Sequence, residues 1–227
     1  MKLARANPSD RFGRLLVIIM IAFIVSGIQQ EWATTLTTFV NLVLVVVAFR
    51  TTGVRTTMPI ASAIVVVATA AAVLSTLTDN DSNGAAISSF AQFALLIFLV
   101  VALLRAVLAH EVVSIQTIVG AVAAYALIGL AFSWLYLGMS TVDSDQFSFD
   151  ATIPSAFPEF SFVVLTTLGF GNQVPDEPFA ARLVVIEAMI GQIFLATFVA
   201  RLVSLYPRRT APPRPGGDAG VDSEPAL

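Results

Sequence analysis

The sequence contains no cysteine and a single histidine, His110. Without thiols there is no disulfide and no thiolate metal site, and the redox compartment is left open. One imidazole excludes a histidine metal cluster and a serine–histidine triad. No nucleophile–base pair, metal cluster or phosphate loop is present, so catalysis has no support. Charge is scarce as well. Asp, Glu, Lys and Arg make up 12% of the 227 residues, where a soluble domain carries about 25%. With 57% hydrophobic residues and a mean hydropathy of +0.86, this composition belongs in a membrane. No basic patch interleaved with aromatics is present, which argues against nucleic acid.

What fills the chain instead is apolar runs. A helix crossing about 30 Å of hydrocarbon needs roughly 20 mostly apolar residues. Six stretches qualify: 12–29, 32–49, 58–77, 88–109, 113–138 and 179–205. The expected fold is all-α, a polytopic membrane protein. Of the 12 cations, only Arg182 falls on one side if the six spans alternate. Lys2, Arg5, Arg11, Arg14, Arg50, Arg55, Arg105, Arg201, Arg208, Arg209 and Arg214 fall on the other. Glu31, Asp79, Asp81, Asp143, Asp145, Asp150, Glu159, Asp176 and Glu177 collect opposite them. The positive-inside rule then puts both termini in the cytoplasm and the protein in the inner (plasma) membrane. A cleaved signal peptide is an alternative for the first run, "LLVIIMIAFIVSG". The other five spans keep their direction either way. The tail, 207–227, is Pro- and Gly-rich without an apolar face and reads as disordered. The threonines of "ATTLTTF", residues 33–39, read as ordinary membrane threonines.

The region between the fifth and sixth spans is neither a full span nor a simple loop. Residues 143–154 form an acidic turret. "PEFSFVVLTT" then opens on Pro158, favoured in a first turn, with Glu159 placed to suit the helix dipole. Ten residues at 1.5 Å each reach about 15 Å, half a membrane. Non-helical backbone at that depth is tolerated only inside protein or along a water-filled cavity. The expectation is a re-entrant half-helix. Carbonyls gathered around a dehydrated cation need backbone that alternates in hand, and Gly169 and Gly171 allow it cheaply. Phe170 is expected to pack against Phe160 and Phe162, and Thr167 to add a hydroxyl at the inner mouth.

"TTLGFG", set between two spans and behind an aromatic half-helix, resembles the selectivity filter of the potassium channel family. The resemblance runs from the fifth to the sixth span, with Pro175 and Arg182 in the expected order. It implies that the backbone of Thr167, Leu168, Gly169, Phe170 and Gly171 coordinates permeant potassium, with no other cofactor. Phe170 stands where the family commonly has Tyr, so a tethering hydroxyl is missing. Asn172 stands where it usually has Asp. Both changes loosen the filter and keep a weakly selective monovalent cation channel as an alternative. One filter strand cannot surround an ion, so four copies are expected in a ring. A non-conducting membrane subunit or transporter is the third reading.

The division expected is a cytoplasmic N-terminus (1–11), a four-helix collar resembling a degenerate voltage sensor (12–110), a pore domain (111–206) and the tail. A sensor needs about 3–4 gating charges per subunit. The fourth span has only Arg105, so gating by the usual arginine mechanism is not expected. An intramembrane acid, Glu187, is a functional candidate by default. It either braces the half-helix through Thr166 or Ser161 and alters conduction on protonation, or is a structural acid. Gly191, next to Gln192, is either a hinge or a close-packing site. Gly120/Ala124 and Gly129/Ser133 have small-xxx-small spacing and are expected to pack against the sixth span.

Overall fold

A computed structural model describes residues 10–26, 82–109, 114–150 and 153–204. The second and third expected spans, the 33–39 threonines and the tail lie outside the described residues. Within them the chain is helical: α1 (Asp10–Ser26), α2 (Ser82–Leu108), α3 (Ile115–Val142), α4 (Ala156–Leu165) and α5 (Pro178–Ser204), with a 3-10 turn at Ser144–Gln146. The only extended pairing among the described residues is an isolated bridge between Phe147 and Pro175. Among the described residues, three helical stretches are long and apolar enough to cross a membrane: Gly84–Leu108, Ile115–Val142 and Pro178–Ser204.

α3 is the hub, and α1, α2, α4 and α5 all pack on it. Its start is fixed by Ser114, whose extended backbone and hydroxyl cap the helix while Thr117 returns the bond, both at 3.4 Å. Such a capping box satisfies two donors that would otherwise be orphaned. Along α3, Ala121, Ala123, Ala124, Leu127 and Ala131 are fully buried against Leu15 and Ile19 of α1 and Leu96, Leu99 and Leu103 of α2. Small residues let these helices approach closely, which matters more in lipid than apolarity does, because lipid tails are as apolar as leucine.

The partners of the small residues differ from the expectation. A Cβ on Gly120 would strike Val107 and touch Phe12, and one on Gly129 would strike the Phe162 ring. These positions therefore serve α2, α1 and α4 rather than α5. The reason lies in α5 itself, which touches the rest of the chain along one narrow stripe. Only Ala180, Glu187 and Gly191 of α5 are buried, and they recur at helical spacing on one face. Val185, Ile186, Met189, Ile193, Val199 and Val203 stand exposed.

Candidate functional site

α4 begins at Ala156, two residues before the expected start, with Pro158 inside the first turn where its missing N–H costs nothing. It ends at Leu165, two residues early. The physical cause is Thr167, which is left-handed at φ 56°. Thr167 N–H bonds Val164 O and Leu168 N–H bonds Val163 O, both at 2.9 Å. This crossed pair is the Schellman ending, whose left-handed residue is usually glycine. A β-branched residue there is strained by about 1–3 kcal/mol. Its hydroxyl bonds the Thr166 carbonyl at 2.7 Å, and Gln192 Nε2 donates to it at 3.3 Å.

The left-handed turn is the first of three. Gly169 (φ 60°) and Gly171 (φ 79°) repeat it, and no other described residue has positive φ. Every second residue from 167 to 171 is thus left-handed. A Cβ on Gly169 or Gly171 would meet nothing within 4 Å, so conformation rather than space calls for glycine. Hand alternation lets successive carbonyls share one side of the strand. The carbonyls of Phe162 to Thr166 all have donors: Thr166 N–H and Oγ1, Leu168 N–H, Thr167 N–H, Tyr125 Oη (2.8 Å to Leu165 O) and Thr167 Oγ1. Among the described residues, those of 167–171 receive none. In folded chains such unpaired carbonyls are rare unless solvent or a ligand completes them.

Phe170 corrects one expectation. Its ring is 63% exposed and does not lean on α4. Phe160 is occupied by Tyr136, Phe147 and Phe149, and Phe162 packs on Phe23 and against Gly129. Leu168 is likewise exposed. Asn172 is exposed and, among the described residues, makes no side-chain hydrogen bond.

Behind the filter-like strand lies a buried polar cluster. Glu187 is 0% exposed. Tyr136 Oη donates to its Oε2 at 2.6 Å. The Ser161 hydroxyl lies 2.5 Å from its Oε1 and 2.7 Å from the Gly129 carbonyl. Three helices, α3, α4 and α5, therefore meet at one carboxyl. Ser161 was one of the two partners expected for Glu187. Thr166 instead bonds Phe162 O, and Tyr136 carried no local sequence signal. Gly191 is buried where a Cβ would press into the Leu165 carbonyl, and α5 runs through it without a break. Among the described residues, no group of three or more His, Cys, Asp or Glu could hold a metal ion.

Residues 121–207, from within α3 to just past α5, match the family model described as an ion channel. No curated protein and no solved structure matches the chain. The matched segment contains α4, the alternating strand and the Glu187 cluster together, and it marks a channel rather than an enzyme. This segment of the chain is similar to ion channels, consistent with its resemblance to potassium channels.

Proposed function

We propose that the protein is a passive, potassium-selective channel in which four identical copies place residues 167–171 around one axis. The observation that carries this reading is the run of donor-free carbonyls, Thr167 to Gly171, on a strand whose hand alternates. Such oxygens can replace the hydration shell of a monovalent cation. In this reading α4 enters half the membrane and returns. α3 and α5 are the outer and inner pore helices, and the C-terminal end of α4 favours a cation nearby. Glu187 braces α4 behind the filter, and Gly191 is where α5 would bend on opening. Residues 12–110 form a collar of four spans. α2, with Arg105 alone, supplies too little charge to sense voltage by the arginine mechanism. Both termini are cytoplasmic and the membrane is the inner (plasma) membrane.

The test is rubidium uptake into liposomes containing purified protein, with Gly169→Ala as control. Uptake by the native chain and its loss in the variant are expected. No uptake from well-folded tetramers would favour a non-conducting subunit.

A second reading, a weakly selective monovalent cation channel, is favoured by the exposed Phe170 and unpartnered Asn172, which give the strand no side-chain tether. Bi-ionic reversal potentials with potassium and sodium separate the two.

A further inference from the structure

Just past the filter-like strand, residues 174–176 pair with residues 146–148, just past the end of α3. Ser148 N–H donates to the Val174 carbonyl at 3.0 Å. The Ser148 hydroxyl donates to the same carbonyl at 3.0 Å and accepts the Val174 N–H at 3.1 Å. One residue thus holds both backbone groups of Val174. Beside it, Phe147 and Pro175 face each other in the antiparallel bridge, and Asp176 N–H donates to Gln146 O at 3.0 Å.

The 146–148 segment is itself anchored. Phe147 is buried among Tyr136, Phe157 and Phe160 at centroid distances of 5.5, 5.8 and 5.6 Å. Gln146 Nε2 donates to Asp143 at 2.7 Å, at the end of α3. The inner end of the strand is held by Leu168 N–H on Val163 O and by Gln192 on Thr167. Among the described residues, no hydrogen bond reaches residues 169–173. The strand is clamped at its two ends and free between them.

We propose that Ser148 is a positioning residue for ion selectivity, holding the outer end of the 167–171 strand through Val174. It does from outside the strand what no side chain of Phe170 or Asn172 does from within. This rests on the filter reading above and adds a residue to it.

The chain has no cysteine, so a Ser148→Cys/Val174→Cys pair can be read without background. Directly opposed antiparallel residues have Cα atoms about 4.5–5.5 Å apart, inside the window of roughly 4.4–6.8 Å that a disulfide accepts. Oxidation is expected to give a reductant-sensitive gel shift. The potassium-to-sodium permeability ratio of the oxidised pair should match the native channel and fall about three- to tenfold on reduction. Ser148→Ala should fall similarly, and Ser148→Thr, which keeps the hydroxyl, should not. Absence of the cross-link overturns the proposal. So does an unchanged ratio in Ser148→Ala, or a smaller current at an unchanged ratio, which is what a merely structural role predicts. If Ser148→Ala yields no tetramer, the oxidised and reduced states of the cysteine pair decide. Gly169→Ala separates the two levels: if it conducts with the native ratio, the filter reading itself fails, whatever Ser148 does.

Discussion

At the scale of single residues, the strand is built from positions that other sequences would avoid. Thr167 occupies the left-handed region at φ 56°, where a side chain branched at Cβ costs about 1–3 kcal/mol. Thr167→Gly removes that cost, so its unfolding midpoint in detergent should equal or exceed the native one, even as conduction changes. Gly169→Ala forces a Cβ into the same region and should lower stability by about 1–2 kcal/mol per subunit. Equal midpoints for the two variants would contradict the backbone assignment. Glu187 makes a different demand. Glu187→Leu leaves the Tyr136 hydroxyl without its acceptor, while Ser161 keeps the Gly129 carbonyl, and an unsatisfied buried hydroxyl costs about 1–3 kcal/mol. Glu187→Gln keeps acceptor and donor and should cost less than about 1 kcal/mol. Denaturant unfolding of the two variants should rank them in that order.

At the scale of elements, α4 is held by the burial of Phe157, Phe160 and Leu165 together with hydrogen bonds. In lipid an interhelical hydrogen bond is worth about 0.6–2 kcal/mol, and α4 makes such bonds to α3 through Tyr125 and Ser161 and to α5 through Ser161. Gly191 lets α5 reach the Leu165 carbonyl, a backbone atom that cannot swing aside. Gly191→Ala should therefore cost about 1–3 kcal/mol, as overpacking does. Gly13→Ala on α1 faces open space and should gain up to about 1 kcal/mol from helix propensity. The turn after α3 has a pH limit. The Gln146 amide, and then the Asp145 N–H, hold the Asp143 carboxyl below its ordinary 3.8. A depressed carboxyl stabilises the fold above its unfolded value and loses that contribution as pH falls through the folded one. The midpoint difference between the native chain and Asp143→Ala should stay constant down to about pH 4 and close below it. Being fully exposed, Asp143 contributes weakly.

At the scale of the whole molecule, much apolar surface is left open. α5 presents Val185, Ile186, Met189, Ile193 and Val203 without cover among the described residues, and Leu168 and Phe170 are exposed as well. An apolar surface of this kind belongs against lipid or further protein. The unpaired carbonyls of 167–171 need company that lipid does not provide. Cross-linking of the protein in liposomes should give a ladder ending at four subunits, and a ladder ending at two would remove the ring.

The six apolar runs, the half-length aromatic helix and the two glycines were legible in the sequence because each depends on neighbours a few residues away. Hydropathy, helix length and tolerance of positive φ are local properties. Four of the six expected spans overlap described helices, with ends shifted by a few residues, and three of those helices are long and apolar enough to cross a membrane. Glu187 was legible as an isolated acid in an apolar run, but Tyr136, 51 positions away, was not. The same holds for the 26-residue reach from Ser148 to Val174 and for the true neighbours of Gly120 and Gly129. Thr167 is intermediate: its left-handed backbone, which ends α4 in crossed hydrogen bonds, reflects no preference of threonine and so left no signal in the sequence. Sequence alone determined that the chain is helical, rich in membrane-length apolar runs and broken at 166–171 by threonines and glycines, since composition and chain stiffness act locally. Which groups grip that strand was decided only by tertiary contact, because hydrogen bonds between distant segments exist only once the helices have packed.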